Sequence, residues 1–323
     1  MQKYNVLVTG GAGFIGANLT EKLLSLPQVA KVRVLDNLAT GSEANIAHLL
    51  ANPQLEFVKG DIRDFDTCKA ACEGIDCISH QAALGSVPRS INDPITSNEV
   101  NITGTLHIFT TAKEAGIKRI VYAASSSTYG DSKSLPKVED IIGKPLSPYA
   151  VTKYVNELYA NVFAQLYSLE PIGLRYFNVF GPKQNPKGPY AAVIPLFMQA
   201  AIQGKAPTIN GDGLQSRDFT YVANAVSANI LALFTENSEA VSQVYNIACG
   251  QQTTLNALYE KICTLAQQDI PPHYGATRVG DVKHSLADIS KAKRLLGYNA
   301  PVAINEGLQQ TFDWYKEQHS ISQ

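Results

Sequence analysis

The 323-residue sequence lacks three features: a long hydrophobic run, an excess of either charge, and the segments of a signal peptide. Without a run of about 20 apolar residues, no membrane span is predicted. Basic and acidic side chains number 27 and 28, a net charge of −1 that gives no reason to expect nucleic acid or a membrane surface as partner. The N-terminal segment has neither a basic region nor a cleavage site, so a cytoplasmic location is expected.

The chain is also poor in cysteine, with five residues that do not form a secreted disulfide framework. Cys68 and Cys72 are four residues apart and would share one helix face, with Cys77 close behind. A zinc site needs about four ligands, and His80 is the only obvious addition. We therefore expect buried free thiols and no metal site.

What the sequence does contain is an alternation of short β-branched runs with longer helical patterns. The runs predict strands at Tyr4–Val8, Val32–Leu35, Leu55–Lys59, Cys77–His80, Ile120–Ala123 and Ile172–Tyr176. The longer patterns predict helices at Phe14–Leu26, Asn45–Ala51, Phe65–Cys72, Asn98–Ala115 and Pro148–Tyr167. Such alternation predicts an α/β fold with a doubly wound parallel sheet and right-handed crossovers.

The residue composition of the sequence changes near Arg175, which suggests one domain over residues 1–175 and a second over 176–323. The stretch 181–189 is a loop by composition. Further helices are predicted at Ala191–Gln203, Val222–Phe234, Thr254–Gln267 and Ile289–Leu296. Return of the strand predicted at Val244–Ala248 to the first sheet would place residues near 219–248 in the first domain, and the two domains would then interleave.

A glycine-rich turn follows the first predicted strand and precedes a helix. Gly10 permits a tight turn, Gly13 lets a pyrophosphate approach the helix N-terminus, and Gly16 lets helix and strand pack closely. Asp36 ends the second strand twenty residues beyond Gly16, where an acid binds the adenosine ribose hydroxyls. Its carboxylate would repel a 2′-phosphate, and its neighbours Asn37 and Leu38 supply no arginine. The pattern therefore predicts NAD rather than NADP.

A second constellation combines Ser125, at the end of a predicted strand, with Tyr149 and Lys153, which are one helical turn apart. Hydride removal from a carbinol carbon also requires removal of the hydroxyl proton. A free tyrosine titrates near ~10, so its pKa must fall by about 3 units for it to act as a base at neutral pH. Lys153 and the cationic nicotinamide are expected to lower the pKa of Tyr149, while Ser125 would orient or relay the proton.

With these residues in place, the chain resembles the extended short-chain dehydrogenase/reductase family over nearly its whole length. The shared blocks are Thr9–Gly16, Asp36-Asn37, Gly60-Asp61-Ile62, His80-Gln81-Ala82-Ala83, Ser125–Gly130, Tyr149–Lys153 and Arg175-Tyr176-Phe177-Asn178. The resemblance implies a Rossmann-type sheet with a smaller, interleaved C-terminal α/β substrate domain. The implied NAD contacts are Gly10, Gly13, Phe14, Ile15, Gly16, Asp36, Asn37, Gly41, Asp61, Ile62, Gln81, Ala82, Ala83, Tyr149, Lys153 and Tyr176.

The resemblance also indicates a reaction. Related 4,6-dehydratases carry an Asp-Glu pair between the serine and the next tyrosine, and related decarboxylases tend to carry a glutamate. Here Ser126, Ser127 and Thr128 stand between Ser125 and Tyr129, so 4-epimerisation through a 4-keto intermediate is favoured over elimination. The blocks around Asn210, Arg217, Arg278 and Asp281 are similar to the family's UDP contacts. The two arginines suit a diphosphate, because a guanidinium can bind phosphate oxygens through two hydrogen bonds.

Within the family, the chain is most similar to the UDP-N-acetylglucosamine 4-epimerase branch. Ser285 falls where glucose-restricted epimerases carry a bulky tyrosine, and a serine leaves room for an N-acetyl group. Overfilling a pocket costs about 1–3 kcal/mol, so this size difference would set a preference. The expected substrate contacts are Ser86, Ser125, Ser126, Ser127, Tyr149, Asn178, Ala192, Val193, Asn210, Arg217, Arg278, Asp281 and Ser285.

Two alternatives remain open: a UDP-glucose or UDP-glucuronate 4-epimerase, and a non-catalytic NAD-sensing regulator with the same fold. The family usually forms homodimers through a four-helix bundle, so the resemblance implies a homodimer through Asn98–Ala115 and Tyr149–Tyr167.

Overall fold

The computed structural model describes residues 3–186, 191–277 and 283–321. Its strands are β1 Tyr4–Thr9, β2 Val29–Asp36, β3 Leu55–Lys59, β4 Cys77–His80, β5 Arg119–Ser125, β6 Glu170–Tyr176, β7 Val179–Phe180, β8 Thr208–Asn210, β9 Ser216–Arg217, β10 Thr220–Tyr221, β11 Gln243–Ile247, β12 Thr253–Thr254 and β13 His273–Gly275. Its helices are α1 Phe14–Leu24, α2 Phe65–Cys72, α3 Val87–Asn92, α4 Pro94–Asn98, α5 Gly104–Glu114, α6 Pro148–Tyr167, α7 Val193–Ile202, α8 Val222–Phe234, α9 Leu255–Ala266, α10 Ser290–Leu296 and α11 Ile304–Ile321.

Seven strands form one parallel sheet in the order β11-β6-β5-β4-β1-β2-β3. Alternate residues of β1 explain why helices cover both faces. Val6 and Val8 pack into one apolar cluster with Leu19 of α1, whereas Leu7 packs into another with Ile108 of α5. Strands buried on both faces are typical of α/β folds, and the predicted Rossmann-type architecture is confirmed.

The strand order reverses between β4 and β1, because the chain builds outward from β1 in one direction and then continues from β4 in the other. In open parallel sheets, ligands bind at such a reversal, beyond the carboxyl ends of the strands. Strand β11, from the C-terminal half, pairs with β6 at the edge of this sheet. The strand predicted at Val244–Ala248 therefore lies in this sheet as β11, while the division into domains, with a boundary at residue 175 and residues near 219–248 returning to the first, stays a prediction.

Two predicted helices need correction. The stretch Asn45–Ala51 forms two short 3₁₀ turns instead of an α-helix, Glu43–Asn45 and Ala47–Leu49. Only Ile46 between them is buried, so there is no apolar face whose packing would stabilise a longer helix. The helix predicted at Asn98–Ala115 begins earlier, as α4, and reaches α5 through a π-helical segment at Glu99–Thr103.

The other predicted strands and helices are confirmed to within a few residues at their ends, and Leu55–Lys59, Cys77–His80, Phe65–Cys72, Pro148–Tyr167 and Val222–Phe234 match at both ends. The cysteines Cys68, Cys72 and Cys77 are buried and free, as expected. In the parts of the chain that the structure describes, no helix is long and apolar enough to cross a bilayer.

Candidate active site

A cavity of about 830 Å³ lies at the carboxyl ends of the central strands. Every residue predicted from the sequence to contact NAD lines this cavity. Of the predicted substrate contacts, the lining includes Ser125, Tyr149, Asn178 and Ala192. Residues 130 or more positions apart in the chain therefore meet where the strand order reverses.

The glycine turn forms one wall of the cavity and requires glycine at two positions. Gly10 has a φ of +70°, which side chains disfavour. A Cβ at Gly16 would lie 2.1 Å from the Gly10 carbonyl oxygen, far inside van der Waals contact. Gly13 immediately precedes α1, so the free backbone N–H groups of the first helical turn face this region. The turn fits a pyrophosphate, because glycine at positions 10, 13 and 16 places no Cβ on this part of the backbone at the helix N-terminus.

Asp36 ends β2 with its carboxylate held in place by two backbone amides. Ala12 N donates to Oδ2 at 2.9 Å and Leu38 N donates to Oδ1 at 2.8 Å. Because each carboxylate oxygen can accept about two hydrogen bonds, both retain capacity for ribose hydroxyls.

Arg63 also lines the cavity, although the sequence gave no sign that an arginine would approach this site. Its guanidinium contacts the Asp61 carboxylate, with Nη2 at 2.7 Å from Oδ2, and lies 3.5 Å from a Glu99 oxygen. The hydrogen bonds from Arg63 lower the pKa of Asp61 to about 2, opposed by partial burial. An arginine bound by two carboxylates is a poor partner for a 2′-phosphate, and the site fits NAD better than NADP.

Ser125, Tyr149 and Lys153 meet at the opposite wall. Ser125 ends β5 and Tyr149 opens α6, where its backbone N–H donates to Ser90 Oγ at 3.0 Å. Lys153 Nζ donates to the Ala123 carbonyl at 2.9 Å and lies 6.0 Å from the centre of the Tyr149 ring. The predicted constellation is thus assembled by one strand end and one helix.

The pKa of Tyr149 differs in direction from the sequence-based expectation. Burial raises the pKa of its hydroxyl above the usual value, and the hydrogen bond with Ser125 opposes that rise. A lowered pKa was expected in the presence of both Lys153 and the nicotinamide cation. The protein surroundings alone favour the neutral phenol, so the lowering depends on the positive charge of the bound cofactor.

Lys153 is buried, and burial lowers the pKa of its ammonium group to about 8. The Glu157 carboxylate, one turn further along α6, opposes that shift. Glu157 is itself held by Arg175, with Nε–Oε1 at 2.9 Å and Nη2–Oε2 at 2.7 Å. Sequence reasoning missed this pair, although Glu157 follows Lys153 at the same four-residue spacing that links Tyr149 to Lys153.

The turn after Ser125 carries hydroxyl groups where a dehydratase would carry acids. Ser127 Oγ donates to Ser125 Oγ at 2.8 Å, and Ser127 N donates to the same oxygen at 3.1 Å. Ser126 and Ser127 are not among the residues that line the cavity. The proposed contact of Ser126 and Ser127 with the sugar stays a prediction, while the two hydrogen bonds from Ser127 to Ser125 are present in the structure.

A hydrogen-bonded group behind Tyr176 was not foreseen from the sequence. Tyr176 OH donates to Gln81 Oε1 at 3.1 Å and accepts from Asn229 Nδ2 at 2.7 Å. Asn229 lies on α8 and is fully buried. No motif marked it, because a buried asparagine within an apolar helix has no signature before its partners are known.

Three of the remaining predicted substrate residues, Asn210, Arg217 and Ser285, form a second group that is not part of the cavity lining. Arg217 Nη1 donates to the backbone carbonyls of Ser216 and Lys283, and Ser285 N donates to the Ser216 carbonyl at 3.1 Å. Asn210, at the end of β8, is linked to this segment through the Gln215 side chain. The structure thus brings Asn210, Arg217 and Ser285 to one region, which the sequence separates by 75 positions.

Ser86 caps α3 by accepting a hydrogen bond from Arg89 N, and Val193 begins α7; neither lines the cavity. Arg278 and Asp281 lie outside the described residues, so their predicted diphosphate and ribose contacts stay predictions. Within the described residues, no group of three or more His, Cys, Asp or Glu side chains is arranged to hold a metal.

The chain is similar in sequence and in structure to several known sugar-nucleotide epimerases. A putative UDP-glucose 4-epimerase of Methanocaldococcus jannaschii is 37% identical over 96% of this chain and 98% of its own. A UDP-glucuronate 4-epimerase of Thermodesulfobacterium geofontis is 34% identical over 96% of each chain. The structure is similar to UDP-N-acetylglucosamine 4-epimerase from Methanobrevibacter ruminantium M1 in complex with UDP-N-acetylmuramic acid, with a TM-score of 0.89, 39% identity, and 98% of this chain and 100% of that chain covered.

The model of the NAD dependent epimerase/dehydratase family matches residues 6–248, from the first strand of the sheet to the residue after its last. This range contains the glycine turn, Asp36 and the Ser125, Tyr149 and Lys153 constellation. The resemblance to extended short-chain dehydrogenases is thereby confirmed at the level of the family. The chain belongs to the NAD dependent epimerase/dehydratase family and uses NAD as its cofactor.

Proposed function

We propose that this chain interconverts UDP-N-acetylglucosamine and UDP-N-acetylgalactosamine by reversible epimerisation at C4. The observation that carries the reaction is the meeting of Ser125, Tyr149 and Lys153 in the cavity that contains the NAD residues. The named relatives support a UDP-sugar 4-epimerase, and they act on more than one sugar by name. The preference for an N-acetylated sugar rests on Ser285 and on the similar UDP-N-acetylglucosamine epimerase structure.

The chain's own residues would perform the proton chemistry. NAD, when bound, supplies the acceptor and then the donor of the C4 hydride. Tyr149 takes the proton of the sugar O4 hydroxyl and later returns it, aided by Ser125, with which it forms a hydrogen bond. The buried Lys153 ammonium, 6.0 Å from the centre of the Tyr149 ring, would add to the positive charge of the bound nicotinamide in stabilising the phenolate form of Tyr149. A 4-keto sugar anchored through UDP can turn and present its other face, so that proton and hydride return with inverted configuration.

The side chains around Ser125 favour epimerisation over loss of water. Elimination needs an acid and a base at the sugar, whereas residues 126–128 offer hydroxyl groups. A buried carboxylate that contacts this turn is that of Glu157, which accepts a long hydrogen bond from Thr128 Oγ1 at 3.4 Å. Because the Arg175 guanidinium holds Glu157 at both oxygens, this carboxylate is not available as a base.

The sugar preference predicts the result of a substrate panel. Supplied with UDP-GlcNAc, UDP-Glc and UDP-GlcA separately, the enzyme is expected to give the C4 epimer of UDP-GlcNAc with the highest kcat/KM, measured by chromatographic separation of products. In Ser285→Tyr, kcat/KM for UDP-GlcNAc should fall by about 5–150-fold, which corresponds to overpacking by about 1–3 kcal/mol, while turnover of UDP-Glc remains.

The matched control is Ser320→Tyr, which adds the same ring at an exposed position of α11 and should leave the panel unchanged. Turnover of UDP-GlcA alone would contradict the N-acetyl proposal and favour a UDP-glucuronate epimerase. Retained NAD with no turnover of any sugar nucleotide would favour a non-catalytic regulator.

We also propose a homodimer built on helix α6 and on the stretch Asn98–Ala115, which runs from the end of α4 through α5. Apolar side chains lie exposed on one face of α6 at spacings of seven, four and four residues, namely Val151, Leu158, Val162 and Leu166. Leu166 is 66% exposed, and nearby in the fold Ile95 of α4, whose helix packs against α6, is 72% exposed. A helical stripe of this kind is typical of a helix–helix interface, and burial of each leucine would contribute about 1.5–3 kcal/mol.

Leu166→Glu is therefore expected to convert a dimer into a monomer at micromolar concentration, because the new carboxylate would be buried without a partner. Sedimentation velocity measures the change, and Gln309→Glu on α11 adds the same charge at an exposed position as a control. A dimer that persists in the Leu166 variant would show that another surface forms it.

A further inference from the structure

The group behind Tyr176 is a closed set of hydrogen bonds among four side chains and one helix carbonyl. Asn229 Nδ2 donates to Tyr176 OH at 2.7 Å and to the Ala225 carbonyl at 2.8 Å. Asn229 Oδ1 accepts from Ser79 Oγ at 3.1 Å and from Gln81 Nε2 at 3.0 Å. Gln81 Nε2 also donates to Ser79 Oγ at 2.9 Å, and its Oε1 accepts from Tyr176.

These bonds use the full capacity of the Asn229 amide. A carboxamide has two N–H donors and an oxygen with two lone pairs, and all four are occupied here. The Ala225 carbonyl determines the orientation of the amide, since a backbone carbonyl can only accept. A reversed amide would place Asn229 Oδ1 against the Ala225 oxygen and its NH₂ group against the Gln81 NH₂ group, so the arrangement above is the only one without clashing donors or acceptors.

The orientation of the Asn229 amide determines the orientation of the Tyr176 hydroxyl through Gln81. Gln81 must present its NH₂ group to Asn229 Oδ1, so its own oxygen faces Tyr176 and takes the single hydroxyl proton of that tyrosine. The Asn229 N–H occupies one lone pair of the Tyr176 oxygen. Because Tyr176 lines the cavity while Asn229 is fully buried, only a lone pair of the hydroxyl remains for a bound molecule.

Tyr176 stands at the reactive end of the cavity. Its Cα pairs with that of Ser125 in the register between β5 and β6, beside the strand end that the Tyr149 and Lys153 constellation flanks. A group that binds there meets an acceptor in Tyr176. In NAD, the amide of the nicotinamide carboxamide is the N–H donor attached to the reacting ring.

We infer that Asn229 is a positioning residue that holds the Tyr176 hydroxyl as a hydrogen-bond acceptor, so that this wall of the cavity selects an N–H donor, the carboxamide of nicotinamide. Asn229 touches neither the cavity nor the reacting atoms; it acts through Gln81 and Tyr176. The inference rests on NAD binding with its nicotinamide beside Ser125, as in the proposed function, and does not depend on which sugar is the substrate.

The test compares NAD⁺ with its 3-acetylpyridine analogue, in which a methyl group replaces the carboxamide NH₂. The purified enzyme is equilibrated with an equimolar mixture, and the ratio of the two retained nucleotides is measured by mass spectrometry after gel filtration. The unmodified enzyme should retain NAD⁺ over the analogue by about tenfold, the effect of one well-formed buried hydrogen bond. In Asn229→Leu, the Gln81 amide can reverse and Tyr176 can donate as well as accept, so the preference should fall to about twofold.

Tyr176→Phe should give the same low ratio, and the double variant should lower it no further, because both changes remove one interaction. Asn246→Leu is the matched control: Asn246 is also fully buried and accepts a tyrosine hydroxyl, that of Tyr129, away from the cavity. It should keep the ratio near tenfold. Asn229→Ala, which removes the same amide with less bulk, provides the measurement if the leucine variant does not fold.

A purely structural role for Asn229 would lower the affinity for both nucleotides equally and leave their ratio near tenfold, which would overturn the inference. Equal retention of the two nucleotides by the unmodified enzyme would overturn it as well. Since no sugar nucleotide is present, a wrong assignment of the sugar substrate would be detected in the panel and would leave this ratio unchanged.

Discussion

Tyr149→Phe is expected to lower kcat for epimerisation by about 10²–10⁴-fold, the range that general acid–base catalysis contributes, and to leave NAD bound. The substitution removes one oxygen and retains the ring that lines the cavity. Without the hydroxyl, the O4 proton loses its proposed acceptor, and the Lys153 ammonium cannot replace it because it donates to the Ala123 carbonyl and has no lone pair. Turnover is measured by product separation, and retained NAD by absorbance after gel filtration.

Tyr154→Phe makes the same chemical change five residues later on α6, at a partly buried position outside the cavity lining. This control should retain both turnover and NAD. Turnover within tenfold of the unmodified enzyme in Tyr149→Phe would exclude Tyr149 as the base. Loss of NAD together with turnover would show that the hydroxyl holds the cofactor, a different role from the proposed one.

The sequence predicted the sheet well because its strands are buried on both faces. Such strands are short apolar runs, and Cys77–His80 is recognisable from composition alone. The failed prediction at Asn45–Ala51 has the opposite cause. That stretch has helix-forming residues but only one fully buried side chain, Ile46, with Leu49 partly buried beside it, so local propensity has little support from tertiary contact.

The cofactor half of the site was predictable for a related reason. The glycine turn and Asp36 act through backbone geometry over about 27 residues, so their spacing survives in the sequence as a recognisable pattern. Tyr149 and Lys153 are likewise separated by one helical turn. Each of these features depends on residues that are close together in the chain, so its spacing can be recognised in a single sequence.

The positioning residues were not predictable, because each depends on a contact over a long sequence distance. Asn229 meets Ser79 across 150 positions, and Arg63 reaches the cavity only because β3 lies beside β2. Burial also changed the electrostatic expectation for Tyr149, since desolvation depends on the surrounding fold. Spacing in the sequence identifies the reacting groups, whereas the environment of each group depends on contacts that only the tertiary fold creates.

Gly16→Ala is expected to abolish NAD retention while most of the protein remains folded. The new Cβ would lie 2.1 Å from the Gly10 carbonyl oxygen and 2.8 Å from the Gly11 Cα, both backbone atoms that cannot move aside as a flexible side chain would. Helix α1 must therefore shift away from the glycine turn, and its N-terminal N–H groups leave the place where the pyrophosphate binds. Overpacking of this kind costs about 1–3 kcal/mol in the free energy of unfolding, less than the total stability of a typical domain.

The measurement is the molar ratio of NAD to protein after gel filtration, with thermal unfolding followed in parallel. Gly275→Ala is the control, because its Cβ would meet a threonine methyl group at 3.2 Å in the β13–β8 pair, which is not part of the cavity lining. Gly13→Ala should fall between the two, since its Cβ would lie 3.1 Å from the Gly10 oxygen and needs a shift of a few tenths of an ångström. A full complement of NAD in the folded Gly16 variant would mean that the turn does not bind the pyrophosphate. The order of NAD retention among the three variants distinguishes a steric effect on the glycine turn from a general loss of stability.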